Sequence, residues 1–387
     1  MKYRKLGRTG LNVSEIGMGL EHLLDKDEQV VVDTIRAAIT GGVNYLDCHV
    51  GHDFKEDSIP YEGYNKLGKA LEGLRDDIFI SYVTYYKDRT AGFTQPRFDY
   101  FLQAVKTTHV DVFMIQFCDK NDDYTQVMGK GGALEHAKKL QAEGKVRHIG
   151  IATHSSSIAN NAIASGEFDV LMYPVNPAFD VITDEEQYKI TDNLANLWDA
   201  AHDFTDKDKN NSHHRKNVFQ ECESKNIGLI AMKIFAGGVI FDWEKEAGFT
   251  PINLTSYALA QNGVSTVVPG CTKPQEINEI LKYCQATEGE RDYSAAVAKS
   301  RWRVAGNCIY CNHCLPCDAG INISQINRLI DAAYHNADTN AKGTHEKYHM
   351  LQAKASACIE CGVCVERCPF NVKVIERMKQ AVELFDL

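Results

Sequence analysis

Eight cysteines near the carboxyl end constrain the folding of this chain more than any other feature of it. Cys308, Cys311, Cys314 and Cys317 are each separated by two residues, and Cys358, Cys361, Cys364 and Cys368 form a second run that ends in Pro369. Two residues between thiols let a short loop wrap three corners of a metal–sulfur cubane, so the fourth corner must come from elsewhere. The second run reads C-x2-C-x2-C-x3-C-P, a ligand spacing of [4Fe–4S] clusters, and where two such runs share a chain the last cysteine of one serves the cluster of the other. That rule assigns Cys308, Cys311, Cys314 and Cys368 to one cluster, and Cys358, Cys361, Cys364 and Cys317 to the second. Zinc is the competing reading. It needs only two CxxC pairs per site and gives no reason for a third cysteine at the same interval.

The remaining five thiols, Cys48, Cys118, Cys222, Cys271 and Cys284, have no partner at ligand spacing, so core packing is their default role. The first ten residues are charged and lack the apolar stretch of a secretory signal, and no run approaches the ~20 apolar residues of a membrane helix. A cytoplasmic setting is therefore expected, and reducing conditions there disfavour disulfides. The net charge of −10 leaves no basic surplus for phosphates, which excludes nucleic acid as the main partner. A small-molecule substrate and a redox partner protein fit better.

From Leu6 to about Cys284, short apolar runs alternate with stretches of helical period, the signature of repeated βα units on a parallel sheet. Strands are predicted at Glu15–Gly19, Tyr45–Cys48, Ile78–Val83, Val110–Phe117, Val146–Ala152, Val170–Tyr173, Gly228–Met232 and Thr266–Val268. Helices are predicted at Glu28–Thr40, Gly63–Leu74, Thr94–Thr107, Gly132–Glu143, Ser156–Ser165, Arg215–Ser224, Pro251–Gln261 and Lys273–Tyr283. Eight of each make a (β/α)8 TIM barrel the economical reading. A doubly wound open sheet is the runner-up, but no GxGxxG opens a helix after the first strand. The expected division is a barrel over 1–290 and a helical cluster domain over 291–387. Asn176–Asn217 is long for a βα loop and reads either as a lid or insertion at the mouth or as a disordered excursion.

Six blocks then resemble the aldo/keto reductase family carrying a C-terminal ferredoxin-like domain with two [4Fe–4S] clusters. They are YRKLGRTGLNVSEIGMG (Tyr3–Gly19), GGVNYLDC (Gly41–Cys48), LGKAL (Leu67–Leu71), GKVRHIGIATHS (Gly144–Ser155), AMKIFAGG (Ala231–Gly238) and VVPGCTKPQEINEI (Val267–Ile280). The resemblance implies the barrel fold and a site of Asp, Tyr, Lys and His at strand ends. In such a site Tyr protonates a carbonyl, Lys paired with Asp lowers the Tyr pKa, and His orients substrate. Asp47 fits the Asp position. The Tyr position lands on His52, with Tyr61 or Tyr64 as the alternatives a shifted loop would supply. The Lys position falls on Val83 or Thr84, with Lys87 nearby, and the His position falls on Gln116.

The family's adenosine-phosphate cradle corresponds to Gly270, Cys271, Thr272 and Lys273. Glu276 stands where a basic residue would read a 2′-phosphate, which disfavours NADP and leaves NAD as the nicotinamide compatible with the chain. Residues expected at the mouth also include Glu21, His22, His49, Asp119, His154 and Lys233. The histidines read as a metal site, a proton relay or plain strand caps. The leading expectation is an oxidoreductase that couples electron transfer through two clusters to a small molecule at the mouth, with conventional NADP-dependent carbonyl reduction not expected. The alternative is a non-catalytic electron carrier or redox sensor with a degenerate barrel.

Overall fold

Apolar runs of four to seven residues are too short for helices that reach across a domain, and here they lie side by side as strands. The structure is a computed structural model that describes residues 1–49, 61–84, 89–181, 211–243, 245–300, 306, 308–335 and 341–386. A short antiparallel hairpin opens the chain, β1 (Tyr3–Lys5) paired with β2 (Asn12–Ser14). Eight parallel strands follow: β3 (Met18–Gly19), β4 (Tyr45–Cys48), β5 (Phe79–Val83), β6 (Val110–Ile115), β7 (Val146–Ala152), β8 (Val170–Pro174), β9 (Gly228–Met232) and β10 (Val264–Val267). Their order in the sheet is their order in the chain. The two edges meet where Gly17 N donates to Val267 O at 2.8 Å and Gly19 N to Pro269 O at 2.9 Å, so the sheet closes nearly into a (β/α)8 barrel.

Strands covered on both faces carry continuous apolar sequence. β6 is buried at every position. Its one charge, Asp111, accepts from Arg147 Nη1 at 2.8 Å and from Ile80 N at 2.9 Å. The connecting helices bury one stripe each: Glu28–Thr40 turns Val31, Val32, Ile35 and Ala38 inward. Their starts carry caps. Ser155 accepts from Ile158 N ahead of Ser156–Ser165. Ahead of Pro251–Leu259, Thr250 Oγ1 accepts from Asn253 N at 3.1 Å while Asn253 Oδ1 accepts from Thr250 N at 2.9 Å.

The sequence reading places all eight barrel strands but differs at their ends. The first has only two ladder residues and the last starts at Val264, because hydrogen bonding to the neighbouring strand, not apolarity, defines where a ladder begins. The hairpin and an additional helix at Asn121–Met128 are not anticipated from the sequence. Leu6, Leu11 and Val13 from the hairpin are buried with Tyr45, Val112, Met114 and Ile230 from the barrel strands, plugging its amino-terminal end. Gly7 makes this approach possible: its φ is 49°, and a Cβ would collide with the backbone of Gly228. Of the long stretch 176–217, residues 182–210 lie outside the described residues. The helix beyond them runs Asn211–Ser224, beginning four residues before its predicted start.

The tail is helical, with Ile323–His335, Ala341–His349, Val363–Glu366 and Val374–Phe385 as its main elements. Ile326, Ile330, Met378, Ala381 and Phe385 are buried between them, and Tyr348 stacks on Phe385 at 4.7 Å. This unit is seated on the barrel. Arg328 Nη1 donates to the Ala260 carbonyl and, at 2.9 Å, to Asn262 Oδ1, and Tyr257 meets Tyr293 edge-on at 5.2 Å. A single apolar core runs through both parts. Among the described residues no helix is long and apolar enough to cross a membrane.

Candidate functional site

The carboxyl ends of the strands surround a cavity of about 600 Å³. Barrels of this kind place their chemistry at that face, because eight βα loops converge there. Glu21, His22, Asp47, His49, Gln116, His154, Lys233, Gly270, Thr272 and Glu276 line it.

Asp47 is the last residue but one of β4 and is 6% exposed. Its Oδ1 is buried and has no hydrogen-bond partner among the described residues. Burial, reinforced by the charge of Glu21, pushes its carboxyl up to about 7, against the pull of Ser81. Among the described residues no lysine faces it from β5, where its neighbour across the ladder is Ser81. His49 Nδ1 and His22 Nε2 stand 4.0 and 3.9 Å from the two oxygens of Glu21.

His154 follows β7 and is 4% exposed. Asp119 grips it twice, accepting from the His154 backbone N at 2.6 Å and pairing through Oδ2 with Nδ1 at 3.0 Å, while Thr153 Oγ1 also donates to Asp119 at 3.0 Å. Burial raises the Asp119 carboxyl, but the attraction of His154 and these hydrogen bonds outweigh it and hold the group below its usual range. With Nδ1–H directed at the carboxylate, the tautomer leaves Nε2 for a ligand. That nitrogen is buried and has no hydrogen-bond partner among the described residues. Behind the dyad, fully buried Arg215 donates to the carbonyls of Pro174 at 3.3 Å and His154 at 3.4 Å. It stands 4.0 Å from Asp180, which accepts from Tyr257 OH at 2.6 Å. Burial raises the Asp180 carboxyl to about 6 despite the Arg215 charge.

Several expected participants are elsewhere. Tyr64 is packed among the rings of Tyr61, Tyr100 and Phe101 in the shell outside the barrel and does not line the cavity. Tyr61 does not line it either: its hydroxyl donates to Asp25 at 2.8 Å. Both are corrected as proton donors, since Glu62–Ala70 places them one layer out. His52 and Lys87 lie outside the described residues. Gln116 is at the mouth, 5% exposed.

In the phosphate cradle, Gly270 and Thr272 line the cavity, but Cys271 turns into the core, where burial pushes its thiol up to about 12. Lys273 points 3.7 Å from Glu276. Glu276 Oε2 accepts from Thr272 N at 2.7 Å and Thr272 Oγ1 at 3.1 Å, so the chain's own carboxylate occupies the donors that would meet a phosphate.

In the tail, the charged groups felt by the Cys314 thiol are Cys308, Cys311 and the remote Cys368. Those felt by Cys364 are Cys358, Cys361 and the remote Cys317. Burial, followed by this mutual repulsion of sulfurs, pushes Cys314 up to about 12, a cost that bound metal would remove. Cys317, Cys358, Cys361 and Cys364, together with Cys314 of the first run, also wall one cavity with Ile321 and Met378. The donor chemistry and this grouping fit two four-thiolate clusters. Among the described residues no three His, Cys, Asp or Glu converge on one metal ion. A cubane asks for less, because each thiolate takes its own iron corner.

The pairing of Asp119 with His154 and the roles of Arg215 and Asp180 are absent from the sequence reading. The dyad partners are 35 positions apart with no motif between them, so no spacing signal could have joined them.

The chain matches the family model "Aldo/keto reductase family" over residues 15–250 and "4Fe-4S dicluster domain" over 307–373. It is 26% identical over 175 residues to an uncharacterized oxidoreductase, YqkF, of Bacillus subtilis, covering 42% of this chain and 51% of that protein. It is 23% identical over 185 residues to the NADH-specific methylglyoxal reductase of Escherichia coli, covering 43% and 54%. The chain thus matches about half the length of these curated relatives. Among solved structures, an aldo-keto reductase from Bacillus halodurans in its holo form superposes with a TM-score of 0.54 at 17% identity, over 79% of this chain and 97% of that one. That likeness speaks to the fold.

Proposed function

This chain belongs to the aldo/keto reductase family and carries a 4Fe-4S dicluster domain, and from that premise we propose that it reduces a small carbonyl compound at the barrel mouth with electrons delivered through two clusters in its tail. Cys308, Cys311, Cys314 and Cys368 would hold one cluster, and Cys358, Cys361, Cys364 and Cys317 the other. When bound, the clusters supply electrons one at a time.

Conversion of C=O to CH–OH takes up two electrons and two protons. The observation that carries the proposal is a pair of buried acid–base atoms on one cavity, Asp47 Oδ1 and His154 Nε2, neither with a hydrogen-bond partner among the described residues. Asp47, raised to about 7 by burial, is partly protonated at neutral pH and donates to the carbonyl oxygen without the tyrosine of a conventional site. Asp119 holds the His154 ring in place through Nδ1, so that Nε2 faces the cavity as the group that passes the second proton from solvent to the substrate. Gln116 binds the substrate as a neutral hydrogen-bonding group. The name of the methylglyoxal-reducing relative agrees with a small carbonyl substrate. No step is assigned to a nicotinamide; of the two, only NAD, with its free ribose hydroxyl, meets no charge conflict at Glu276.

The test uses protein reconstituted and reduced without oxygen, with cluster absorbance followed as small aldehydes and ketones are added. Substrate-dependent reoxidation is expected, slowed roughly 100-fold or more in Asp47→Asn and His154→Gln with cluster spectra intact. Rates equal to the parent's in both variants would refute the assigned roles. Direct bleaching by NADH without added flavin would refute the assumption that electrons arrive through the tail.

A further inference from the structure

The helix Asn211–Ser224 belongs to the barrel, yet two of its consecutive residues face opposite sites. Arg215 reaches the carbonyl of His154 at the mouth. Lys216 Nζ donates to the Cys308 carbonyl at 2.6 Å and stands 5.1 Å from the centre of the Tyr310 ring. Arg328 lies 4.2 Å over the same Tyr310 ring, and Arg377 is paired with Asp331, itself the acceptor for Tyr310 OH at 2.6 Å. Asp292 is the second carboxylate near this cluster, felt at Cys311. Three cations therefore face two carboxylates around the first set of cysteines.

The second set differs. Its outer corner, Cys361, is exposed beside Ile359, which is 68% exposed. The nearby Lys379 is already paired with Glu360 at 2.9 Å, in solvent.

A cluster gains one negative charge on reduction, so a cation fixed at short range in poorly hydrated surroundings stabilises the reduced form more than the oxidised one. Solvent does this for an exposed cluster; a buried one depends on the protein. We propose that Lys216 is a positioning residue through which the barrel raises the reduction potential of the cluster held by Cys308, Cys311, Cys314 and Cys368, keeping it within reach of electrons from the outer one. This rests on the reading that the eight cysteines hold two clusters. It adds a direction: electrons enter at the exposed Cys361 side and leave from the side that touches the barrel.

Full-length protein reconstituted without oxygen tests both readings separately. Iron and labile sulfide analysis reports whether two clusters are present, and a failure there counts against the proposed function. A potentiometric titration followed by electron paramagnetic resonance then reads the two midpoints. Lys216→Gln is expected to lower one midpoint and leave the other in place. Lys216→Arg, which keeps the charge, is expected to move neither, as is Lys138→Gln, on a distant barrel helix. Cys361→Ser identifies the outer cluster's midpoint, and the one moved by Lys216→Gln must be the other. If Lys216→Gln does not load iron, Arg328→Gln takes its place and must move the same midpoint downward. Two unmoved midpoints, movement of the outer cluster's midpoint, or a drop in Lys216→Arg would overturn the proposal.

Discussion

Burial without a counter-charge sets the ionisation of Asp47, and the consequence is measurable as stability. Its folded pKa of about 7 lies above the usual 3.8, so the folded state holds the proton more tightly than the unfolded chain does. The associated stability is fully present below about pH 4 and is lost as pH rises through about 7, flattening above it. Asp47→Asn removes that penalty. Denaturant titrations from pH 5 to 8 should find the variant losing less stability than the parent as pH rises, with an advantage approaching roughly 4 kcal/mol at the alkaline end. The same variant should be inactive, a trade of stability against function common at working sites. At this scale the sequence places Asp47, Gln116 and His154 at strand ends, and the structure puts all three on the wall of the mouth cavity. The sequence misplaces Tyr61 and Tyr64, since a helical residue's direction depends on where its helix docks and not on its distance along the chain from Asp47. It also misses Asp119 as the partner of His154, because a dyad assembled from two βα loops leaves no local pattern.

At the scale of elements, caps and tight approaches decide where chain segments end. Thr250→Ala removes one half of a reciprocal cap ahead of Pro251–Leu259 and should cost about 1 kcal/mol in thermal or denaturant unfolding. Gly7→Ala should cost more, on the order of 2–3 kcal/mol, because it combines a left-handed backbone with a collision against Gly228. The repeating βα units were legible because period-2 and period-3.6 burial leave different apolar patterns. Strands of three residues, such as β1 and β2, are too short to show either period. The hairpin is stabilised by packing on the barrel, a contact visible only in three dimensions.

On the scale of the whole molecule, the tail depends on its thiols more than the barrel does. The loops around Cys308–Cys317 and Cys358–Cys368 contain little regular structure beyond turns and the one-turn helix Val363–Glu366, so metal bound by these cysteines would be coupled to local folding there. Removing iron with a chelator should make residues 308–373 the first site of limited proteolysis, while the far-ultraviolet spectrum of the barrel persists; simultaneous loss of both would show that the barrel cannot stand without its appendage. The spacing of the cysteine runs made this unit legible in the sequence, whereas its seat on the barrel, through Arg328, Lys216 and the Tyr257–Tyr293 contact, was not, because each contact joins positions far apart in the chain.

The amino-terminal hairpin has a final bearing on traffic. With Leu6, Leu11 and Val13 stoppering one end of the barrel, exchange is left to the opposite end, and under the proposed reaction a departing alcohol must vacate the space an incoming carbonyl needs. Turnover should therefore show product inhibition that rising substrate overcomes, seen as an increased KM at constant maximal rate, whereas a maximal rate that falls with added product would point to a second exit.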